Sequence, residues 1–343
     1  MNYPLRIATI FLRTIDRFPI EYASIGSGLI HNTFLVKDAK SEHYILQQIN
    51  TDVFKDPKIL AHNLNILDQA FAHNHVEVNT PKYLRVKDTF IIYEKGAYWR
   101  MYYYMEGVVF NTSGNTFIAG IAAKALGSFH SYGQDIALKS FQESIPDFTN
   151  FEDRIIQLNE AAKIGIPLRM NSSQDFYFEL VKHLHLIEEY IKIEKNVPSR
   201  LIHGDPKISN FIFTKNEKRV QSIIDLDTIG KGSVLYDFGD MVRSFANRYN
   251  ENEKIKENLL DQEVLVALHK GYLSSSNSFL TKLELNSLEL ASRVVCLVQA
   301  IRFYTDYLLG DNYYKVKSES DNLIRAKNQF QLFKELLKVE LTS

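Results

Sequence analysis

The chemistry-bearing residues of this chain are gathered in one short stretch and its sequel. Leu201-Ile202 leads into His203-Gly204-Asp205-Pro206-Lys207, and Asn210 follows Asp205 by five residues. The apolar run Phe211 to Phe213 reads as a strand, Lys215 to Arg219 as a charged turn, and a second strand ends on Asp225. A carboxylate at a loop can orient an alcohol and accept its proton, which suits Asp205 as a base. Magnesium takes hard oxygen ligands, and Asn210 can offer a neutral amide oxygen and Asp225 an anionic one. Lys207, two residues beyond the base, can neutralise charge on a transferred group. The reaction these types and spacings suit is transfer of a phosphoryl group from a nucleotide to an alcohol. His203 fits a loop brace better than a proton carrier.

A lone His-Gly-Asp is usually a turn. His-Gly-Asp-x-Lys-x-x-Asn, flanked by strands and followed by Ile-Asp-x-Asp at 224–227, is a kinase-type pairing of catalytic and metal loops. A competing signal lies at Asp237-Phe238-Gly239, which spells a protein-kinase metal motif. Residues 230–236 before it do not read as a buried strand, whereas Asp225 ends an apolar run. The metal therefore goes to Asp225, and Asp237 is expected to cap a helix over 240–248.

The elements that position these groups divide the chain in two. The N-terminal apolar residues Ile7, Ile10, Phe11 and Ile15 suit an amphipathic helix. Then come a strand, the glycine turn Gly26-Ser27-Gly28, and a second strand through Val36. Glycines let backbone approach phosphates, so Gly26, Ser27 and Gly28 are candidates for a nucleotide lid. A third strand spans 44–49. Kinases carry a phosphate-holding lysine here and pair it with a glutamate on the next helix. This chain has Gln47 or Gln48 on the strand and His62 and Asn63 on the helix starting at Pro57. Both halves of that pair are therefore expected to be absent, with Lys55 or Lys58 as candidate substitutes. Segments 82–86, 89–94 and 98–105 read as further strands, with Tyr102, Tyr103 and Tyr104 as packing residues. Met105-Glu106-Gly107 ends the sheet where a linker would fall, its backbone placed to bind an adenine.

From Thr116 the hydrophobic period becomes helical. Helices are expected over 118–132, 151–163, 175–194, 240–249, 255–273, 282–309 and 321–339. The division is therefore an α+β fold with an N-lobe at 1–105 and a mainly α-helical C-lobe at 106–343.

Composition excludes several classes. Of 343 residues, 45% are hydrophobic and 24% charged. Ordinary globular proteins have similar proportions. A net charge of −1 gives no field to attract nucleic acid or an anionic membrane. The one cysteine, Cys296, excludes an internal disulfide framework. No apolar run approaches membrane-spanning length, and Arg6, Arg13, Asp16 and Arg17 interrupt any signal-peptide pattern. The expected location is the cytoplasm and the expected partner a small molecule.

These motifs resemble the aminoglycoside phosphotransferase/choline kinase superfamily, and more narrowly the N-acetylhexosamine 1-kinase group. The stretches that carry the resemblance are 26–36, 44–57, Ile-Pro-Asp-Phe at 145–148, Ile-Asp-Leu-Asp-Thr at 224–228, and 302–315 with Asn322-Leu323-Ile324-Arg325-Ala326. It extends over nearly the whole chain; the catalytic loop specifies only the superfamily, the terminal stretch more. The resemblance implies a bilobal protein-kinase-like fold with an antiparallel N-lobe sheet, ATP with Mg2+, and phosphorylation of the anomeric hydroxyl of GlcNAc or GalNAc. It implies Asp205 as base, Asn210 and Asp225 as metal ligands, and His31, Arg302 and Tyr314 as sugar contacts. Arg302 has an ordinary alternative, an ion pair with Asp306 one helical turn on. Pro206 departs from the group's pattern and leaves the acceptor open. Other small alcohols (aminoglycoside, choline, homoserine) form the second reading, and a catalytically silent nucleotide-binding protein the third.

Overall fold

The structure is a computed structural model and describes residues 3–25, 30–72, 78–112, 115–253 and 258–340. The glycine turn Gly26-Ser27-Gly28 lies outside the described residues.

The first part of the chain builds one antiparallel sheet. Strands β1 (Pro19–Ser24), β2 (Asn32–Asp38), β3 (His43–Gln48), β4 (Ile91–Glu94) and β5 (Ala97–Tyr103) pair in the order β1-β2-β3-β5-β4. Helix α1 (Tyr3–Leu12) lays Ile7, Ala8, Phe11 and Leu12 on one face of this sheet, where they bury with Val36, Leu46, Trp99 and Met101. The amphipathic expectation for the N-terminus is met because those four residues recur at helical spacing. Helix α2 (Pro57–Ala72) follows, with Pro57 at its start, where a missing N–H costs nothing.

Segment 82–86, expected as a strand, only touches the sheet through the Tyr83–Tyr102 bridge, and Val86 pairs with Thr89 across its own turn. Lys87 adopts φ 56°, so the chain reverses before a ladder can extend.

The second part is helical: α3 (Thr116–Tyr132), α4 (Phe151–Ile164), α5 (Pro167–Val181) and α6 (Leu184–Glu194). The single helix expected over 175–194 is two, broken at Lys182-His183. Strands β6 (Arg200–Ile202), β7 (Phe211–Phe213), β8 (Val220–Ile223) and β9 (Gly230–Gly232) then form two small antiparallel pairs, β6 with β9 and β7 with β8. β9 is a short strand that is not buried, which agrees with the expectation that 230–236 holds no buried strand, although the strand itself was not expected. Its two glycines hid it, since glycine carries no strand signal. Gly232 packs so closely on Ile202 that a Cβ there would come within 2.4 Å of that side chain.

Helices α7 (Val234–Phe245), α8 (Gln262–Ser276), α9 (Lys282–Leu309) and α10 (Asp321–Leu336) complete the fold. α7 begins six residues before the expected helix because Ser233, not Asp237, caps it through the Leu235 N–H. α8 starts later than the sequence suggests and includes Ser274 to Ser276. α9 is the central helix. It is apolar around most of its girth, packs on α4, α5, α6, α7 and α10, and is opened by a Thr281/Glu284 capping box. No helix among the described residues is long and apolar enough to cross a membrane.

Candidate active site

The loop between β6 and β7 carries His203, Asp205, Lys207 and Asn210, and its shape follows from a few bonds. Gly204 has φ +85°, and a Cβ there would lie 2.7 Å from the Thr228 carbonyl. The turn therefore admits only glycine without a shift. His203 accepts the Asp205 N–H at Nδ1 (3.1 Å), so its Nε2–H is the donor to the Ile224 carbonyl (2.9 Å). This is the bracing role expected of it. Thr228 Oγ1 donates to the His203 carbonyl at 2.9 Å.

Asp237 fixes the same loop from below. Its carboxylate is fully buried and accepts the backbone N–H of His203 at 2.6 Å, that of Gly204 at 2.9 Å, and His130 Nε2–H at 2.9 Å. It is therefore neither the expected cap nor exposed to a metal; it clamps the loop from inside α7.

Asp205 is oriented by this frame. Lys207 Nζ lies 2.5 Å from Asp205 Oδ2 and 3.8 Å from Asp225 Oδ2. Asn210 donates its amide to the Asp205 carbonyl at 2.8 Å and to Oδ2 at 3.3 Å. Both neighbours address Oδ2, which leaves Oδ1 without a hydrogen bond among the described residues. Burial works to lower the Lys207 pKa, but the charges of Asp205 and Asp225 outweigh it and hold the ammonium above its ordinary range.

Asp225 follows β8 with φ 64° and ψ 54°. Aspartate tolerates this left-handed conformation. Its side chain is 35% exposed. Its carboxylate and the Asn210 amide oxygen are the hard oxygens here that a magnesium ion could use. Magnesium keeps several waters and binds phosphate oxygens, so one carboxylate and one amide fit it. Among the described residues no cluster of three or more His, Cys, Asp or Glu side chains could hold a metal by itself.

Two residues further on, Asp227 behaves differently. It is 3% exposed and takes a bidentate pair from Arg100, with Nη2–Oδ2 at 2.8 Å and a close Nη1–Oδ1 contact. His31 Nε2 donates to Oδ2 at 2.6 Å, while its Nδ1 accepts the Asn50 N–H at 3.1 Å. Burial would raise the Asp227 pKa, but the Arg100 charge and the His31 bond hold it well below the carboxylate range. Arg100 Nε also donates to Gln47 Oε1 at 2.9 Å, and Gln47 Nε2 to Thr33 Oγ1 at 3.2 Å.

A buried ion pair thus joins the sheet to the loop after β8, beside the strand position where kinases carry a lysine. The sequence reading missed it. The available signal was a charge, Arg100, inside the apolar strand Tyr-Trp-Arg-Met-Tyr. On α2, His62 bonds the Ser140 carbonyl at 2.7 Å and Asn63 bonds the Gln142 and Ile229 carbonyls at 2.8 and 3.3 Å. This helix is therefore tied to the second part of the chain without a glutamate. Lys55 and Lys58 are exposed.

The remaining candidates fall into two places. Arg302 on α9 lies 5.1 Å over the Phe148 ring and donates to Gln299 at 3.3 Å; Tyr314 accepts from Gln299 at 3.4 Å and packs on Phe303. Phe148, from the 145–148 stretch, is thereby brought to Arg302. Asp306 is not the ion-pair partner of Arg302: it accepts the backbone N–H groups of Asn312, Tyr313 and Tyr314 and the Asn322 amide. Tyr236, on α7, sets its ring edge-on to Phe148 with centroids 6.2 Å apart, which ties this cluster to the helix that clamps the loop through Asp237. His31 is not part of it. Both its ring nitrogens are used at Asp227 and Asn50, which leaves none for an acceptor.

Glu106 is exposed and paired with Lys215, and the connection after it is pinned to β7 by reciprocal Val108–Phe213 bonds at 2.9 Å. Tyr102 and Tyr103 pack on Tyr83 and Tyr44, as expected of sheet residues. A cavity of about 460 Å³ lined by Phe71, Asn79, Tyr103 and Met105 contains none of the Asp205 cluster.

The family model described as "Phosphotransferase enzyme family" matches residues 21–262. Among solved structures, the chain resembles an aminoglycoside phosphotransferase from Alicyclobacillus acidocaldarius, with TM-score 0.63, 14% identity, and coverage of 92% of this chain and 91% of that one. It also resembles choline kinase from Cryptosporidium parvum, with TM-score 0.59, 16% identity, and coverage of 93% and 89%. A third is the GDP complex of wild-type aminoglycoside 2'-phosphotransferase-IIIa, with TM-score 0.62, 16% identity, and coverage of 97% and 100%. At these identities the likeness is one of fold.

Proposed function

The chain belongs to the phosphotransferase enzyme family, and within it we propose an ATP-dependent small-molecule kinase that phosphorylates the anomeric hydroxyl of an N-acetylhexosamine. The observation that carries the reaction type is the division of labour at Asp205: Lys207 and Asn210 hold Oδ2, and Oδ1 is left to receive the proton of an acceptor hydroxyl.

In this reading Asp205 orients the hydroxyl and takes its proton as the phosphoryl group is transferred. Lys207, kept charged by Asp205 and Asp225, balances charge beside the transferred group. Asn210 and Asp225 would hold Mg2+, which when bound neutralises the phosphate oxygens of ATP. Gly26, Ser27 and Gly28 would cover the phosphates, and the backbone at Glu106 would meet the adenine. Gln47 is turned inward to Arg100 and Thr33, so it orients Arg100 in place of touching the nucleotide.

The acceptor would lie between the catalytic loop and α9, against Arg302 and Tyr314. Phe148, Tyr313 and Tyr314 can combine apolar contact with hydrogen bonding to a sugar ring. The N-acetylhexosamine and its C1 position rest on the sequence resemblance at 26–36, 44–57 and 302–315. Arg302, with Arg154 beside it, argues for a neutral or anionic acceptor over a polycationic one, whereas Arg243 is already paired with Asp240 and Glu251.

The test is a panel of free sugars and amino alcohols with ATP and magnesium, read by the position of the new phosphate. An anomeric phosphate is acid-labile and couples to H1 by NMR. Arg302→Ala should weaken acceptor binding and leave ATP affinity nearly intact. A stable ester on a primary alcohol, or choline as the acceptor, would overturn the sugar reading and leave the phosphotransferase standing.

A further inference from the structure

We propose that Asp240 determines acceptor specificity: its buried Oδ2 takes a second hydroxyl of the substrate while Asp205 takes the reacting one. The inference rests on the acceptor-site reading above.

α7 is fastened to the catalytic loop at both ends of the relevant stretch. Asp237 binds the N–H groups of His203 and Gly204, and Ser244 Oγ accepts the Ile208 N–H at 3.3 Å. Asp240 lies between those two anchors, one helical turn beyond Tyr236. It is 4% exposed. Its Oδ1 accepts from Arg243 Nε at 2.7 Å, and its Oδ2, with almost no accessible surface, has no hydrogen-bond partner among the described residues. A buried carboxylate oxygen with nothing donating to it carries the full desolvation penalty. A donor that reaches such an atom relieves that penalty.

The surroundings specify that ligand. Asp240 interacts electrostatically with Arg243, Asp205 and Asp237, and lies within reach of Tyr236, Lys207 and Arg302. Burial raises its pKa, Arg243 opposes this, and Asp205 adds to it. The anchors at Asp237 and Ser244 hold this face of α7 against the loop that carries Asp205, and Arg243, Lys207 and Arg302 lie around the two carboxylates, so an ammonium-rich acceptor meets cations there as well as anions. A quaternary ammonium offers no N–H to Oδ2 at all. A neutral polyol with a donor near its reacting hydroxyl satisfies both carboxylates, and a site built to bond a hydroxyl rejects the analogue lacking it.

The test is Asp240→Asn, which keeps an oxygen for Arg243, assayed with N-acetylglucosamine or with whichever panel sugar is turned over fastest. The acceptor KM should rise roughly tenfold or more, with the ATP dissociation constant unchanged. Monodeoxy analogues of that sugar supply the second arm. One of them should lose a similar factor with the wild type and almost nothing further with Asp240→Asn, as a shared contact requires. An acceptor KM within twofold of wild type, or equal added losses for every deoxy analogue, overturns the inference and leaves the kinase reading intact. If no panel sugar is phosphorylated, the sugar-kinase reading falls and the inference falls with it.

Discussion

Asp225 and Asp227 are two residues apart and meet opposite fates. Asp225 stands at the open end of a strand, 35% exposed by side chain, with Lys207 Nζ 3.8 Å away. Asp227 is sealed beneath the sheet, with Arg100 and His31 on its oxygens. The first region is polar, half-open and under-bonded, and it keeps oxygens free for ligands. The second is buried and fully bonded, and its work is mechanical: it joins the sheet to the loop that carries the first. Free energy of folding and capacity for chemistry are therefore held by neighbouring residues, not by the same ones.

That contrast should break in the open region first. Asp205→Asn should fold normally and lose about 10²–10⁴-fold in turnover, the range of general-base contributions. Turnover close to wild type would remove Asp205 from the chemistry.

The two aspartates can then be compared directly. Asp225→Ala should lose magnesium-dependent turnover with its melting temperature unchanged. Asp227→Ala should cost on the order of 3–5 kcal/mol in stability, because it leaves the Arg100 guanidinium buried without its anion. Denaturant unfolding of both variants decides the matter: equal stability losses would mean that the two environments do not differ as described.

Asp237 extends the comparison to a buried carboxylate without an arginine. Asp237→Ala leaves the N–H groups of His203 and Gly204 and the His130 ring unpaired. Each such group should cost about 1–3 kcal/mol. A loss near the ~1 kcal/mol of a helix cap would restore the role expected from sequence.

Glu194, on α6, gives the smallest and most pH-sensitive contrast. Where Asp227 has Arg100, Glu194 has only Tyr190 and Lys195 to oppose burial, which pushes its carboxyl from 4.5 up to about 7. The folded chain then holds a proton there that the unfolded chain releases. The contribution of Glu194 to stability should be complete below pH 4.5 and be lost as pH rises through 7. The fall should be on the order of 1–3 kcal/mol. Glu194→Gln should flatten this slope in thermal melts taken from pH 5 to 8, and an unchanged slope would assign it to other groups.

Much of the fold, and which side chains share the β6–β7 loop, was legible in the residues. The period-2 strands, the later helical periodicity and the His-Gly-Asp-x-Lys-x-x-Asn spacing are local patterns, and local pattern fixes which segments are helix or strand and which groups share a loop. The metal-loop choice between Asp225 and Asp237 also turned on a local cue, the apolar run before Asp225; the structure buries Asp237 completely. β9 was invisible because Gly230-Lys231-Gly232 carries no strand pattern and is made a strand only by Leu201 and its neighbours across the ladder.

What only the tertiary structure decided was pairing at long range. Arg100 reaches Asp227, His31 reaches the same carboxylate, Asp237 reaches the loop that carries Asp205, and Asp240 keeps one oxygen unpaired among the described residues. None of these has a period or a spacing. Each arises because burial removes water as a partner, so a polar group must find whatever the fold brings near it, and sequence order does not reveal which group that will be.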